Sequence, residues 1–437
     1  MIAYFATRIS ALLSGPVGVM YLSIMAKAAL AFVINALVAR WLGPGDFGLY
    51  FVFVFLVMIG HSLLGEGLDA GVVRFYAYYH WNDSAQVPGV LGSAVLVRVI
   101  GMLVFVLAMA IASDWLALQV FDDPRVQSIV VVGAVAACGT ALLNLGLALF
   151  QAKQQFWLRA IFTPAINVLR LGLVTVFWWA GILTLEGVLW QHVLSAVLVI
   201  LVVAWVIRSD LAASRVTRGH IGEQLRFNVW GALATVSILL YSNLGVPVLK
   251  HQLGDDAAGY FAAAATLLLV IEYVTYSVMM VILPSLSENT DRRLYVEKIR
   301  RWLPLCLAVA VLLSPLFFLA EPLITLVYGE TYGPSVSVAQ ILFVGVLINI
   351  IAYPVSVVLM AMNRPGVFAL CHVLPIATWV FADSLFIGED AIDGAAIATL
   401  TARITAAVLI LGSLWLLLRR RANGSQQPRA ANQRGLL

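Results

Sequence analysis

The sequence predicts an all-α, polytopic membrane protein with about twelve transmembrane helices in two six-helix lobes, and three observations carry that prediction. Of 437 residues, 62% are hydrophobic and only 11% are Asp, Glu, Lys or Arg, against roughly a quarter charged in soluble proteins. The apolar residues form long unbroken runs rather than an apolar–polar alternation, which selects helices over a barrel. The segments between runs alternate between basic and acidic. A soluble fold of this composition would expose more apolar surface than water tolerates.

A hydrocarbon core of ~30 Å takes about 20 apolar residues in helix. Such runs lie near 16–39, 47–65, 88–112, 126–150, 160–181, 186–207, 227–249, 258–286, 302–320, 335–361, 366–387 and 393–418. The first is not a cleaved leader. It exceeds twenty residues, holds Lys27 and leads into Arg40 and Trp41 with no small-residue cleavage site. Residues 1–15 read as an amphipathic helix in the membrane interface. The polar segment 208–226 divides an N-terminal lobe, 1–207, from a C-terminal lobe, 227–418. Residues 419–437 form a basic tail.

Charge sets the orientation. With the N-terminus in the cytoplasm, nineteen of the 26 Lys and Arg fall in cytoplasmic segments, among them Arg74, Lys153, Arg215, Arg293 and Arg300. Only Arg40, Arg125 and Lys250 fall outside, where Asp114, Asp122, Asp123, Asp255, Asp256 and Asp393 gather. This is the positive-inside pattern, and it places both termini in the cytoplasm. The net charge of +4 is thereby explained without a nucleic-acid partner.

The halves look like a repeat, as in many transporters. VARWLGPGDFGLY (38–50) matches VLKHQLGDDAAGYF (248–261) at an offset of 211, with Gly43 on Gly254 and Gly48 on Gly259. Each copy links the first and second spans of its half, and each glycine suits a tight turn with positive φ. A weaker match pairs FQAKQQF (150–156) with MAMNRPG (360–366). No P-loop, H-E-x-x-H or G-x-S-x-G is present. The outer loops are short for an enzyme that builds a pocket on sugars. The sequence is read as a non-enzyme without cofactor or metal, driven by a substrate or ion gradient or by a partner. Cys138, Cys306 and Cys371 fall within runs and read as small apolar residues.

ARWLGPGDFGLY (39–50), LGEGLDAGVVRFYAYY (64–79), VYGETYGPSVSVAQIL (327–342) and MNRPG (362–366) resemble, in order and spacing, the signatures of the polysaccharide-transporter family. This family includes the O-antigen and exopolysaccharide flippases of the multidrug/oligosaccharidyl-lipid/polysaccharide exporter superfamily. The resemblance covers about residues 10–420. One departure is VFDDPRVQ (120–127), where the second half has the Tyr-Gly-Glu-Thr-Tyr element. The resemblance implies a two-lobed bundle in the cytoplasmic (inner) membrane that alternates between inward- and outward-open states. Its cargo would be an oligosaccharide on a polyprenyl diphosphate, flipped from the inner to the outer leaflet. Implied partners are membrane lipid, a coupling proton or sodium ion, and a polymerase or other glycan-assembly proteins. An ion-coupled multidrug exporter of the same fold is the alternative.

Candidate site residues follow from charges inside the spans. Lys27, Arg98, Arg170 and Arg403 lie about ten residues from any span end, where a cation costs a few kcal/mol or more. They either line a cationic cavity for the lipid diphosphate or hold the bundle together. Arg offers forked donors to phosphate and Lys a point charge. Four cations against two acids favour an anionic cargo over a cationic drug. The two acids are Glu272 and Asp383, which either couple an ion or pair structurally, with Arg403 as a partner. Asp69 and Arg74 form a local helix-end contact or part of an inner gate. Arg40 and Trp41 read as an interfacial anchor.

Overall fold

The computed structural model describes residues 15–287, 292–361, 365–386 and 391–423, and among these every regular element is a helix. The expected interfacial helix at 1–15, Arg364, Glu389, Asp390 and the tail beyond 423 lie wholly or almost wholly outside the described residues.

The first half opens with α1 (Pro16–His61), a π-helical stretch at Ser62–Glu66 and α2 (Gly67–Asn82), which continue one another. It goes on through α3 (Val87–Trp115), α4 (Arg125–Ala152), α5 (Phe156–Trp179) and α6 (Leu185–Val206). A short α7 (Arg208–Ala213) leads to α8 (Arg218–Asn243) and α9 (Gly245–Leu253). Then come α10 (Asp255–Ser287), α11 (Arg292–Leu313), α12 (Ala320–Tyr328), α13 (Ser335–Ala361), α14 (Pro365–Phe386) and α15 (Ala391–Asn423).

Among the described residues, nine helical runs are long and apolar enough to cross a membrane, or ten if α11 and α12, bent by 67°, make one broken span. The expected count of twelve is not established by that measure, in which Gly18–Asn82 is a single run although Gly43 divides it. Three boundaries differ from expectation. The second span does not end at 65, because the π-helical stretch carries the helix on to Asn82. The seventh begins at Arg218 rather than 227. The ninth breaks at Ser314–Phe317, a 3-10 turn that contains Pro315, since proline removes a donor and crowds the preceding turn.

Large apolar side chains stand exposed along the helices, among them Leu103, Ile111, Trp179, Val311, Phe318 and Leu326. Only hydrocarbon can cover such a surface, so the chain is a multi-pass membrane protein. Trp41 stacks on Trp178 with ring centroids 4.8 Å apart, beside exposed Arg40. Within the first half α1 packs on α4 and α5; within the second, α10 packs on α13 and α14 on α15. The halves meet chiefly where α1 lies along α10.

That contact has two-fold character. Gly43 (φ 80°, ψ 174°) and Gly254 (φ 92°, ψ −172°) share one backbone conformation. A Cβ on Gly48 would lie 2.2 Å from the Asp255 carbonyl oxygen, and one on Gly259 would lie 2.0 Å from the Pro44 carbonyl oxygen. Both pairs of partners, 48 with 259 and 44 with 255, are separated by the offset of 211 that relates the sequence copies. The two turns lie side by side at one end of the molecule, here called the acidic end; the other is the basic end.

At the basic end the segment between the halves is fastened to the first half. The Arg215 amide donates to the Pro88 carbonyl at 3.0 Å, and the Ser93 hydroxyl bonds the amide and carbonyl of Thr217 at 3.1 and 3.0 Å. The Gln224 amide group donates to the Val90 carbonyl at 2.9 Å, and Lys153 pairs with Asp210 at 3.0 Å. Gly92 makes this possible, because a Cβ there would stand 2.3 Å from the Arg215 carbonyl oxygen. Residues 208–224 should therefore move with the first half. A disulfide between Ser93→Cys and Thr217→Cys in a cysteine-free background should leave transport unchanged. Transport that stops on oxidation and returns on reduction would show that the segment must detach.

Candidate functional site

The first-half cluster is built around the break at Gly43, which folds the two arms of α1 against α5. Lys27 is half-buried on the first arm, and its carbonyl accepts a hydrogen bond from Asn167 Nδ2 at 2.9 Å. Arg170, one turn along α5, donates from Nη2 to the Tyr50 hydroxyl at 2.7 Å and from Nη1 to Asn167 Oδ1 at 3.4 Å. Tyr50 in turn donates to Asn35 Oδ1 at 3.1 Å. This chain of polar side chains ties Arg170 to Lys27 across α1 and α5.

The charges acting on Lys27 are Arg159, Glu66 and Arg170. Glu66 is exposed at the end of the π-helical stretch and accepts from the Ser62 hydroxyl at 2.9 Å. It is an acid acting on Lys27 that the count of four cations against two acids left out. The run seemed to end at 65, but the π-helical stretch extends the helix and brings Glu66 beside Lys27; single-turn π-bulges often mark functional sites. Arg159 donates to the Leu147 carbonyl at 3.3 Å and to the Gln151 side chain. His61 and His192 complete the group: Glu66, Lys27 and Arg98 act on His61, and Arg170 acts on His192. Cations thus outnumber acids here: Lys27, Arg159 and Arg170 gather with Glu66, and Asp69 also lies within reach of Arg159 and Glu66.

Arg98 is engaged differently. It is 0% exposed and donates to the Ala141 carbonyl at 2.6 Å, the Gly65 carbonyl at 3.1 Å and Asp69 Oδ1 at 2.6 Å. Its three acceptors bind α3 to α2 and α4. Asp69 thus serves Arg98, rather than reaching Arg74, which is exposed with its guanidinium 6.0 Å from the Phe75 ring. Arg403 pairs with Glu272 at 2.6 Å in the second half; of the two acids expected as its possible partners, Glu272 is the one that makes the pair. Asp383 lies in the last turn of α14, hydrogen-bonded to Gln252, nearer the acidic end than mid-span.

The acidic end is closed by two layers. The upper is ionic and joins the halves. Arg125 reaches Asp123 at 2.8 Å, Asp255 at 2.6 Å and Asp46 at 3.9 Å. Lys250 reaches Asp123 at 2.9 Å and also pairs with Asp255. Burial acts to raise the Asp123 pKa, but hydrogen bonds from Arg125 and Lys250 outweigh it and hold the carboxyl at about 2. A depressed acid contributes stability above its ordinary value of 3.8 and loses it as pH falls toward 2. Asp123 is therefore charged at neutral pH and is no proton sensor there. The lower layer is aromatic: Tyr328 and Tyr332 are buried against Phe47, and the Tyr332 hydroxyl donates to the Ala39 carbonyl at 2.8 Å. The departure noted in sequence thus has a structural sense. Where the second half supplies the tyrosines, the first supplies Asp123 and Arg125.

Below this closure an apolar cavity of about 550 Å³ opens between α1 and the second half. Met25, Ala28 and Phe32 of α1 face Leu267 of α10, Leu323 of α12 and Phe343 of α13 across it, with Gln340 at its edge. The first arm of α1 therefore touches both the cationic cluster, through Lys27, and an apolar cavity.

Comparison with known proteins decides the family. Residues 16–290 match the model of a family described as polysaccharide biosynthesis protein. The chain belongs to that family. It is 26% identical over 417 residues to a lipid III flippase of Escherichia coli K12, an alignment that covers 92% of this chain and 97% of the relative. The fold is similar to that of the lipid II flippase MurJ in an inward closed conformation (TM-score 0.74, 13% identity, 94% of this chain and 93% of that one). It is also similar to an inward-facing multidrug-resistance MATE transporter of the MOP superfamily (TM-score 0.73, 16% identity, 93% and 99%).

In this family member, sequence reasoning singled out Lys27 and Arg170 by depth alone. It missed Glu66, Arg159, Tyr50 and the five-residue ionic bridge. A usable signal for the bridge was present: Arg125 and Lys250 are two of only three cations assigned to the acidic face.

Proposed function

We propose that the protein is an alternating-access flippase for a polyprenyl-diphosphate-linked oligosaccharide, an O-antigen or exopolysaccharide repeat unit, which it moves from the inner to the outer leaflet of the cytoplasmic membrane. The observation that carries this reading is the gathering of Lys27, Arg159 and Arg170 within membrane-spanning helices, where cations outnumber the nearby acids Glu66 and Asp69. A diphosphate cannot cross hydrocarbon unaided, because removing its water costs many kcal/mol. Fixed cations in an opening replace that water. The apolar cavity on the other side of the same arm of α1 offers room for isoprene units, so one helix separates a head-group site from a tail site. The relative named a lipid III flippase and the likeness to a lipid II flippase support a lipid-linked glycan as cargo. Net positive charge in the cluster runs against a cationic drug.

In this reading residues 1–207 and 227–418 are two lobes, the acidic end faces outward, and both termini are cytoplasmic. The bridged end is then the closed outer gate, and cargo enters from the cytoplasmic side. Deletion of the gene should cause polyprenyl-diphosphate-linked glycan to accumulate, facing the cytoplasm, with the outer glycan lost and restored by the wild-type gene. Cysteine at Asp256 should label with an impermeant reagent in intact cells, and cysteine at Arg215 only after permeabilisation. Unchanged surface glycan in the deletion strain, or the reverse labelling pattern, would overturn the reading.

A further inference from the structure

The second half holds a guanidinium that is poorly matched to a purely structural role. Arg403 lies on α15 with its side chain 7% exposed, and α13 makes room for it at Gly345, where a Cβ would come within 2.8 Å of its Cδ. A guanidinium carries five N–H donors. Among the described residues Arg403 donates to one acceptor, Glu272 Oε1 at 2.6 Å, and its buried Nε has no hydrogen-bond partner. Arg98 has the same unpartnered Nε, so the contrast lies in the rest of the fork: Arg98 meets two carbonyls and a carboxylate, and its acid partner is only 17% exposed. The Glu272 side chain is 32% exposed. One arginine is locked in the protein; the other is held by a single, partly open carboxylate.

The position of Glu272 adds to this. It sits on α10, the second-half helix that lies along α1, immediately after Leu267, Leu268, Val270 and Ile271 of the apolar cavity wall. Glu272 thus follows directly on the cavity wall along α10. Carboxylate and phosphate oxygens are alternative partners for the same guanidinium fork, and phosphate can use two of its donors where Glu272 uses one.

We propose that Arg403 is a second oxyanion site, which Glu272 occupies as an internal stand-in until an anionic group of the cargo displaces it. This rests on the reading of the first-half cations as the lipid-diphosphate site and adds to it a site in the opposite half. The ligand chemistry is a paired oxyanion, from the lipid diphosphate or from an acidic sugar of the glycan. The internal acid keeps the arginine neutralised when no cargo is bound and sets a threshold on what may replace it. A neutral molecule cannot displace it. Glu272 thereby acts as a selectivity residue.

The sign of the expected effect is unusual, because removing an acid from a structural ion pair should weaken the protein, whereas removing a competitor should strengthen binding. The full-length protein in detergent would be titrated with farnesyl diphosphate and, separately, with methyl glucuronide. If the internal pair is closed about nine-tenths of the time, Glu272→Gln should bind the matching probe about tenfold more tightly. Tightening for farnesyl diphosphate assigns the site to the diphosphate; tightening for methyl glucuronide assigns it to an acidic sugar. In the double variant E272Q/R403Q the gain should vanish. Glu272→Asp, too short to hold the pair but still charged, should show a gain of the same sign and covers the case in which E272Q does not fold. Unchanged or weaker binding of both probes in the folded variants would overturn the proposal. If wild-type binding of farnesyl diphosphate depends on Lys27 and Arg170 while E272Q has no effect, this inference alone fails. If binding ignores Lys27 and Arg170 as well, the flippase reading fails with it.

Discussion

Gly259→Ala should open the outer end and cut glycan export at least tenfold while the protein remains in the membrane. The new Cβ would stand 2.0 Å from the Pro44 carbonyl oxygen and 2.7 Å from its carbon, both backbone atoms that cannot turn aside. Overpacking of this kind costs about 1–3 kcal/mol, which changes a two-state ratio by roughly 5- to 150-fold. The cost falls on the closed outer gate, because the crossing of the α1 turn with α10 exists only there; an open gate separates Pro44 from Gly259. Gly48→Ala should behave alike, its Cβ meeting the Asp255 carbonyl oxygen at 2.2 Å. The check is a cysteine at Ala262, fully buried one turn beyond Gly259. In a cysteine-free background an impermeant thiol reagent should reach it faster from outside in the Gly259→Ala variant than in the parent. Equal labelling rates with normal export would show that the glycine crossing does not set the gate.

Much of this architecture was legible because the membrane writes length and charge directly into sequence. Ser335–Ala361 was bounded to the residue, since its flanks are a polar turn and an Asn-Arg-Pro sequence. Gly43 and Gly254 were legible as equivalent positive-φ turns because only glycine adopts that backbone at little cost. Partners were not legible. Arg98 and Arg170 look alike in sequence, each a lone arginine in an apolar run, yet one is sealed by Gly65, Asp69 and Ala141 and the other faces Tyr50 and Asn167. What separates them is where the π-helical stretch puts Gly65 and Asp69, and no period in the sequence announces a π-turn. Glu66 was hidden for the same reason: glycines at 65 and 67 and acids at 66 and 69 read as the end of a span. The ionic bridge joins Asp46, Asp123 and Arg125 with Lys250 and Asp255, a pairing set by tertiary contact between the halves, and charge counting could not place its members beside each other.

The two arginines should part company on substitution. Lys27→Gln and Arg170→Gln should leave abundance within about twofold of wild type and lower export at least tenfold, because in the proposed function they meet the cargo diphosphate and the hydrogen-bond partners of Arg170 are neutral groups that Gln can also bond. Arg98→Gln should do the reverse. It strips three acceptors of a donor at once and leaves the Asp69 carboxylate, 17% exposed, without its cation. Removing one partner of a buried pair typically costs 3–5 kcal/mol, a large share of the roughly 5–15 kcal/mol that holds a domain folded. The expected result is little full-length protein in the membrane and a sharply lower melting temperature for what remains. Arg98→Met combined with Asp69→Leu should recover much of the abundance, since replacing both members of a buried pair by apolar groups of similar size is often neutral. Export in that double variant tests the assignment: if Arg98 only holds α2, α3 and α4 together, export returns with abundance. Abundance restored with export still absent would return Arg98 to the group that handles the cargo.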